Sequence, residues 1–139
     1  GGHLEEDKDT TIVDTALRET QEELLHDQAI QWTILGQGTP VPSIHGTPVI
    51  PVFGLLENSL ECQHELSKKF PGNPDEVESV FTVTVKQLLQ TETSRPLGRL
   101  DQPAPVFPYH PHGEIWGLTA FVLRPFLHQI LKPVYAKSP

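Results

Sequence analysis

Methionine is absent from the 139 residues, cysteine occurs once, and no apolar run approaches the roughly 20 residues of a membrane-spanning helix. We therefore expect a soluble protein without a membrane partner. Cys62 has no second cysteine for an intrachain disulfide or a thiolate zinc site, and it is compatible with a reducing compartment. Because position 1 is not methionine, we expect that the chain does not begin at a native translation start, so no N-terminal targeting signal can be identified in it.

Basic residues are also scarce, since 10 Lys and Arg stand against 18 Asp and Glu, for a formal charge of -8. This balance opposes non-specific binding to nucleic acid, so no nucleic-acid partner is expected. An anionic small-molecule substrate would need a bound cation. The length predicts a single domain over residues 1–139 with one core.

Helical periodicity is strongest from Asp9 to Leu25, where apolar residues fall on one stripe. Thr10 or Thr11 is the predicted cap. The other predicted elements are strands at Ala29–Leu35, Thr47–Leu56 and Phe81–Val85, a short helix around Leu60–Lys69, a helical turn at Lys86–Gln90, two pairing strands at Val106–Tyr109 and Glu114–Trp116, and a helix at Leu118–Leu131 interrupted at Pro125.

Three carboxylates lie together on the first helix, because Glu19, Glu22 and Glu23 are spaced i, i+3 and i+4. Like charges at this spacing repel one another, and a divalent cation would reverse that penalty. Mg²⁺ takes oxygen ligands, and Mn²⁺ would serve similarly. The pattern therefore indicates metal-assisted phosphoryl chemistry. A solvated acidic helix face explains the same spacing.

A longer pattern surrounds these carboxylates: Gly1-Gly2, an acidic spacer, and then ALRETQEEL at residues 16–24. It resembles the Nudix box, whose usual form is Gly-x5-Glu-x7-Arg-Glu-U-x-Glu-Glu-x-Gly-U, where U is apolar. The segments NPDEVESVF at 73–81 and IWGLTA at 115–120 resemble the coenzyme A diphosphatase branch of that family. Together the similar segments span most of the chain.

The resemblance implies a role for each matching residue. Glu22 and Glu23 would coordinate Mg²⁺ or Mn²⁺, and Glu19 would be a further ligand or the catalytic base. Arg18 would brace the carboxylates, and Gly2 would supply a backbone carbonyl near the metal. Glu76 would contribute another ligand or base. The alternative for Glu76 is an acidic loop residue without a catalytic role.

Two departures from the box are visible. The spacing from Gly2 to Arg18 is two residues longer than usual, which leaves Thr10 at the place of the first glutamate. The acidic residues that could substitute for that glutamate are Glu5, Glu6, Asp7 and Asp9. Leu25 occupies the position of the box glycine, so either the helix extends or its exit loop differs. We expect that this change could impair activity.

The implied fold is an α/β/α sandwich with a mixed sheet between the first and last helices. We expect it to be incomplete at the N-terminus, because the family's strands and coenzyme A recognition segment before the Gly-Gly pair are missing. An exposed sheet edge would invite association, for example as a homodimer. The family branch has mitochondrial and peroxisomal members, and the C-terminal Ala-Lys-Ser-Pro is not a peroxisomal signal, so mitochondrial is the guess for a compartment that the sequence leaves open.

The implied reaction is hydrolysis of coenzyme A or acyl-CoA to 4'-phosphopantetheine, or its acyl form, and adenosine 3',5'-bisphosphate. Two alternatives stay open: hydrolysis of another nucleoside diphosphate conjugate, and a Nudix-like binding module without activity. A separate metal site at His110 and His112 would lack a third ligand.

Overall fold

The computed structural model describes residues 2–25, 30–57, 63–98, 103–109 and 113–136. They form two compact units, one of residues 1–37 and 52–82 and the other of residues 38–51 and 83–139. The elements in chain order are α1 (Ile12–Leu24), β1 (Trp32–Gln37), β2 (Val41–Pro42), β3 (Pro48–Val49), β4 (Val52–Leu56), α2 (Gln63–Lys69), α3 (Val85–Thr91), β5 (Thr93–Arg95), β6 (Ala104–Tyr109), β7 (Gly113–Ile115), α4 (Gly117–Phe126), a π-helix (Leu127–Leu131) and α5 (Lys132–Tyr135). That residues 1–139 form a single domain stays a prediction.

Helix α1 begins at a reciprocal cap and ends at a left-handed residue. The Thr11 hydroxyl accepts the Asp14 N–H at 3.2 Å, and the Asp14 carboxylate accepts the Thr11 N–H at 2.8 Å. Of the two threonines predicted as the cap, Thr11 is the one that caps the helix. At the other end the Leu25 N–H donates to the Gln21 carbonyl at 2.9 Å, with φ 48° and ψ 38° at Leu25. Of the two alternatives at Leu25, the helix does not extend, because Leu25 adopts the left-handed conformation usual for a terminating glycine.

The first unit packs α1 and α2 with an antiparallel pair, β1 and β4. Its buried core consists of Ile30, Leu66 and Phe70, with Leu24, Trp32, Leu56 and Val80 packed against them. The predicted strand at 29–35 is confirmed from Trp32 onward. The predicted strand at 47–56 is divided into β3 and β4, since Pro51 between them has no N–H for a ladder. The short helix within 60–69 is confirmed from Gln63.

The second unit is built around β6, which is hydrogen-bonded to both β5 and β7. The core is formed by Leu88, Phe107, Ala120 and Leu127. The predicted pairing of the strands at 106–109 and 114–116 is confirmed, with Phe107 opposite Ile115. The helical turn at 86–90 is confirmed as part of α3.

The strand predicted at Phe81–Val85 is wrong, because residues 81–84 have no strand pairing and Val85 begins α3. The Thr84 hydroxyl caps this helix by accepting the Gln87 N–H at 3.1 Å. Val83 and Val85 pack against the second core. The alternation of apolar and polar residues therefore reflects two core contacts on either side of a cap.

The last helix does not break at Pro125. Helix α4 continues through it to Phe126 and passes into the π-helix and then α5. Proline lacks the N–H that would donate to the carbonyl one turn earlier, so one helical hydrogen bond is missing at Pro125. The π-helix, in which each turn is wider, begins two residues later. The predicted helix is confirmed, while its interruption takes the form of a change in helical type. Arg124 and His128 both contact the Glu92 carboxylate, at 2.8 Å and 2.5 Å.

The α/β class is confirmed, and helices with antiparallel sheets are consistent with a Nudix α/β/α fold. The expected mixed sheet differs from what is observed: all pairings among the described residues are antiparallel, in sheets of two, two and three strands. A parallel pairing requires a long crossover, whereas several of these strands are connected by short turns. Within the described ranges, no helix is long and apolar enough to cross a membrane.

Candidate active site

A buried ion pair fixes the arginine of the box. The Asp9 side chain is 1% exposed, and its two carboxylate oxygens accept hydrogen bonds from Arg18 Nε at 3.0 Å and Nη2 at 2.9 Å. Asp9 Oδ2 also accepts the Thr15 hydroxyl at 3.1 Å and the Glu5 N–H at 3.0 Å. Of the four acidic candidates in the spacer, Asp9 makes the buried contacts with Arg18, and Glu5 Oε1 lies 3.4 Å from Arg18 Nη1. That one of them takes the place of the first box glutamate stays a prediction.

The other edge of the Arg18 guanidinium faces the carboxylates of α1. Nη1 donates to Glu19 Oε1 and to Glu22 Oε2, both at 3.0 Å. Nη2 also donates to the His3 carbonyl at 3.1 Å. Glu22 follows Arg18 by four residues, the spacing at which side chains meet on a helix face, whereas Glu19 is the next residue in the chain. The structure thus brings Arg18, Glu19 and Glu22 together, while their catalytic and metal-binding roles stay predictions.

These contacts shift the pKa values of both Asp9 and Arg18. Hydrogen bonds from Arg18, with a further one from the Glu5 N–H, hold the pKa of Asp9 well below its usual range. The hydrogen bond with Asp9, supported by Glu22 and Glu19, raises the pKa of Arg18. Both groups therefore stay charged at neutral pH. A permanently charged guanidinium offsets the repulsion between Glu19 and Glu22.

Gly2 lies directly against Glu19. A Cβ atom added to Gly2 would overlap the Glu19 carboxyl group, so only glycine leaves that carboxylate in its observed place. The Glu19 side chain is 18% exposed. The structure therefore places Gly2 beside the predicted site. That the Gly2 carbonyl contacts a metal stays a prediction.

The loop that carries Glu76 is bonded to the C-terminal turn of α1. The N–H groups of Gly72 and Asn73 donate to the carbonyls of Leu24 at 2.9 Å and Glu23 at 2.8 Å. The Asn73 amide then donates to Glu76 Oε1 at 3.2 Å. The backbone thus connects the two predicted segments at Glu23, although they lie about 50 residues apart in sequence.

The site has oxygen donors suited to a hard cation, in the carboxylates of α1, the Gly2 carbonyl and Glu76. Among the described residues, however, no three His, Cys, Asp or Glu side chains converge in a way that could hold a metal ion. Glu19 and Glu22 instead each turn one oxygen towards Arg18. The donor chemistry fits a hard divalent cation such as Mg²⁺ or Mn²⁺, since the contacts with Arg18 use only one oxygen of each carboxylate.

Sequence reasoning left two contributors unassigned. Thr15 is buried and donates to Asp9, and its signal is a threonine one turn before the arginine. Asn73 was part of the matched segment without a role, and its signal is the Asn-Pro-Asp-Glu turn sequence. The predicted positions Cys62, His110 and His112 lie outside the described residues.

Several curated proteins are similar to this chain in sequence. A protein named uncharacterized Nudix hydrolase NudL from Photorhabdus laumondii is 32% identical over 133 residues, which cover 93% of this chain and 66% of that protein. Proteins of the same name from Salmonella paratyphi B and Salmonella newport are 32% identical over 130 residues, covering 90% of this chain and 62% of theirs. No protein-family model and no solved structure matches the chain.

This similarity covers 93% of the chain in the first of these comparisons. The chain belongs to the Nudix superfamily. It spans slightly less than two thirds of the length of the curated relatives that it matches.

Proposed function

We propose that this chain takes part in metal-dependent hydrolysis of a diphosphate bond. The observation that carries the proposal is the Arg18 guanidinium, which is anchored on buried Asp9 and gathers Glu19 and Glu22 at 3.0 Å each. An anionic diphosphate would not approach such carboxylates without a cation between them. The net charge of -8 makes that requirement stronger.

A bound Mg²⁺ or Mn²⁺ would polarise a phosphoryl oxygen and lower the pKa of an attacking water. Glu22 and Glu23 would hold it with Glu19 or the Gly2 carbonyl. Glu19 or Glu76 would accept the proton of the water as base. The water oxygen would bond to one phosphorus, the bridging P–O bond would break, and the released oxygen would leave on the other phosphate.

The proposed substrate is coenzyme A or an acyl-CoA, cleaved to 4'-phosphopantetheine or its acyl form and adenosine 3',5'-bisphosphate. Its support is the similarity of residues 73–81 and 115–120 to the coenzyme A diphosphatase branch. The relatives are named only as Nudix hydrolases, which supports the hydrolysis of a diphosphate and not a particular substrate. Another nucleoside diphosphate conjugate is the second candidate.

The test is to incubate the chain with coenzyme A and Mg²⁺ or Mn²⁺ and to follow adenosine 3',5'-bisphosphate by chromatography. ADP-ribose serves as the comparison substrate. Glu22→Gln should lower the rate by roughly 100-fold or more, because it removes a charged metal ligand from the reacting centre. Glu114→Gln is the matched control, since this glutamate pairs with Arg95 on the second unit.

Binding of Mn²⁺, followed by electron paramagnetic resonance, gives a readout that does not depend on turnover. Weaker binding in Glu22→Gln and unchanged binding in Glu114→Gln would support the ligand role. Metal binding without release of product from either substrate would refute hydrolysis and favour a Nudix-like binding module. Faster cleavage of ADP-ribose than of coenzyme A would refute the substrate while retaining the reaction class.

A further inference from the structure

Asn73 bonds to both segments of the proposed site. Its backbone N–H donates to the Glu23 carbonyl at 2.8 Å, beside the bond from Gly72 to Leu24 at 2.9 Å. These carbonyls belong to the last turn of α1, where no further helical N–H is available to them. The loop that follows Asn73 is therefore fixed to the end of the helix that carries the predicted metal ligands.

The Asn73 side chain extends this connection to the Glu76 carboxylate. Asn73 Nδ2 donates to Glu76 Oε1 at 3.2 Å, while Asn73 Oδ1 accepts the Asp75 N–H at 3.2 Å. The Asn73 carbonyl also accepts the N–H groups of Glu76 at 3.0 Å and Val77 at 2.7 Å. Only an amide side chain provides a donor and an acceptor at these two places. Aspartate would keep the turn and lose the bond to Glu76.

Glu76 itself is exposed, so its carboxylate would sample several rotamers without a partner. We propose that Asn73 is a positioning residue that holds the Glu76 carboxylate at a set place relative to the end of the metal-binding helix. This inference rests on the proposed hydrolase function. It assigns Asn73 no contact with substrate or metal; the residue acts through Glu76.

The test is a double-mutant cycle with Asn73→Asp and Glu76→Gln. Asn73→Asp retains the acceptor for Asp75 but removes the donor and sets a second negative charge against Glu76. We expect it to lower kcat roughly tenfold, as for the loss of one hydrogen bond to a charged group, with KM within about twofold. In the Glu76→Gln background the same change should have almost no further effect.

A merely structural role for Asn73 predicts a different result. Asn73→Asp would then lower activity by the same factor in both backgrounds, and the urea midpoint of the first unit would fall in parallel. Additive losses of this kind would overturn the proposal. Asn73→Ala, which removes both side-chain bonds, shows how far loss of the turn alone lowers the midpoint.

Failure of this inference can be told from failure of the proposed function. If the chain is active, Glu22→Gln is inactive and Glu76→Gln is fully active, the hydrolase stands and the role of Asn73 is refuted. If no substrate is cleaved, Mn²⁺ affinity replaces kcat in the same cycle. Equal affinities in the unchanged chain, Asn73→Asp and Glu76→Gln would then overturn the positioning role as well.

Discussion

Replacing Leu25 by glycine and by alanine tests how the box helix ends. Leu25 has φ 48° and ψ 38°, the left-handed conformation in which a Cβ atom is unfavourable. Its side chain is nearly half exposed, with 44% of the residue accessible. Both substitutions remove the leucine packing, so the difference between them isolates the backbone.

The expected difference can be worked from two opposing effects. The left-handed conformation costs an L-residue roughly 1–2 kcal/mol, whereas glycine loses about 0.5–1 kcal/mol more through its freedom in the unfolded chain. Leu25→Gly should therefore be more stable than Leu25→Ala by about 0.5–1 kcal/mol. If the helix instead continued through position 25, alanine would be the more stable by about 1 kcal/mol.

Urea unfolding followed by tryptophan fluorescence measures this difference. Trp32 packs against the first core, and the centroid of its ring lies 6.2 Å from that of Phe70. Its fluorescence therefore reports on the unit that contains α1. Trp116 is 64% exposed and is replaced by phenylalanine in every variant to leave Trp32 as the reporter. At a slope of about 2 kcal/mol/M the midpoints should differ by roughly 0.3–0.5 M.

The sign of the difference between the two urea midpoints tests whether the helix ends at a left-handed residue. A midpoint for Leu25→Ala equal to or above that of Leu25→Gly would refute the left-handed end. The unchanged chain provides the comparison for lost packing, because both variants should fall by a shared amount that reflects the buried part of Leu25.

Two further predictions concern Asp9 and Gly2, which contact Arg18 and Glu19 respectively. Asp9→Asn removes a carboxylate whose pKa is lowered by Arg18. The difference in unfolding free energy between the unchanged chain and the variant should be constant above pH 3.9, which is about the pKa of an unfolded-state aspartate. Below that pH the difference should shrink, because the carboxylate of the unchanged chain becomes protonated. A urea-midpoint difference that grows on acidification would contradict this. Gly2→Ala should displace the Glu19 carboxylate and weaken Mn²⁺ binding roughly tenfold without changing the urea midpoint, and unchanged binding would refute the contact.

The sequence predicts best where periodicity and capping coincide. Helix α1 carries both an apolar stripe and a threonine cap, and it lies within the predicted range. The residues before α3 mislead because Val83 and Val85 alternate with polar residues while Thr84 is a cap. A two-residue period cannot distinguish a strand from a pre-helical segment of this length. Pairing between distant strands is also not specified locally, so of the pairings among the described residues only that of β6 with β7 was predicted.

The candidate site shows the same division between local and distant information. The contact of Arg18 with Glu22 follows from their i, i+4 spacing within one helix, whereas that of Arg18 with the adjacent Glu19 does not. The attachment of the Glu76 loop to Glu23 joins residues about 50 positions apart and depends on backbone groups that carry no sequence signal. Only the resemblance to a family indicated Glu76.

Local hydrogen bonds fold the spacer before Arg18. A turn forms in it, because the N–H groups of Lys8 and Asp9 both donate to the Glu5 carbonyl, at 2.9 Å and 2.7 Å. The Asp9 carboxylate closes the turn by accepting the Glu5 N–H at 3.0 Å. This turn places the Asp9 carboxylate against the Arg18 guanidinium. Asp9 and Glu5 are thus the spacer carboxylates beside Arg18 among the described residues, and that Asp9 replaces the first box glutamate stays a prediction.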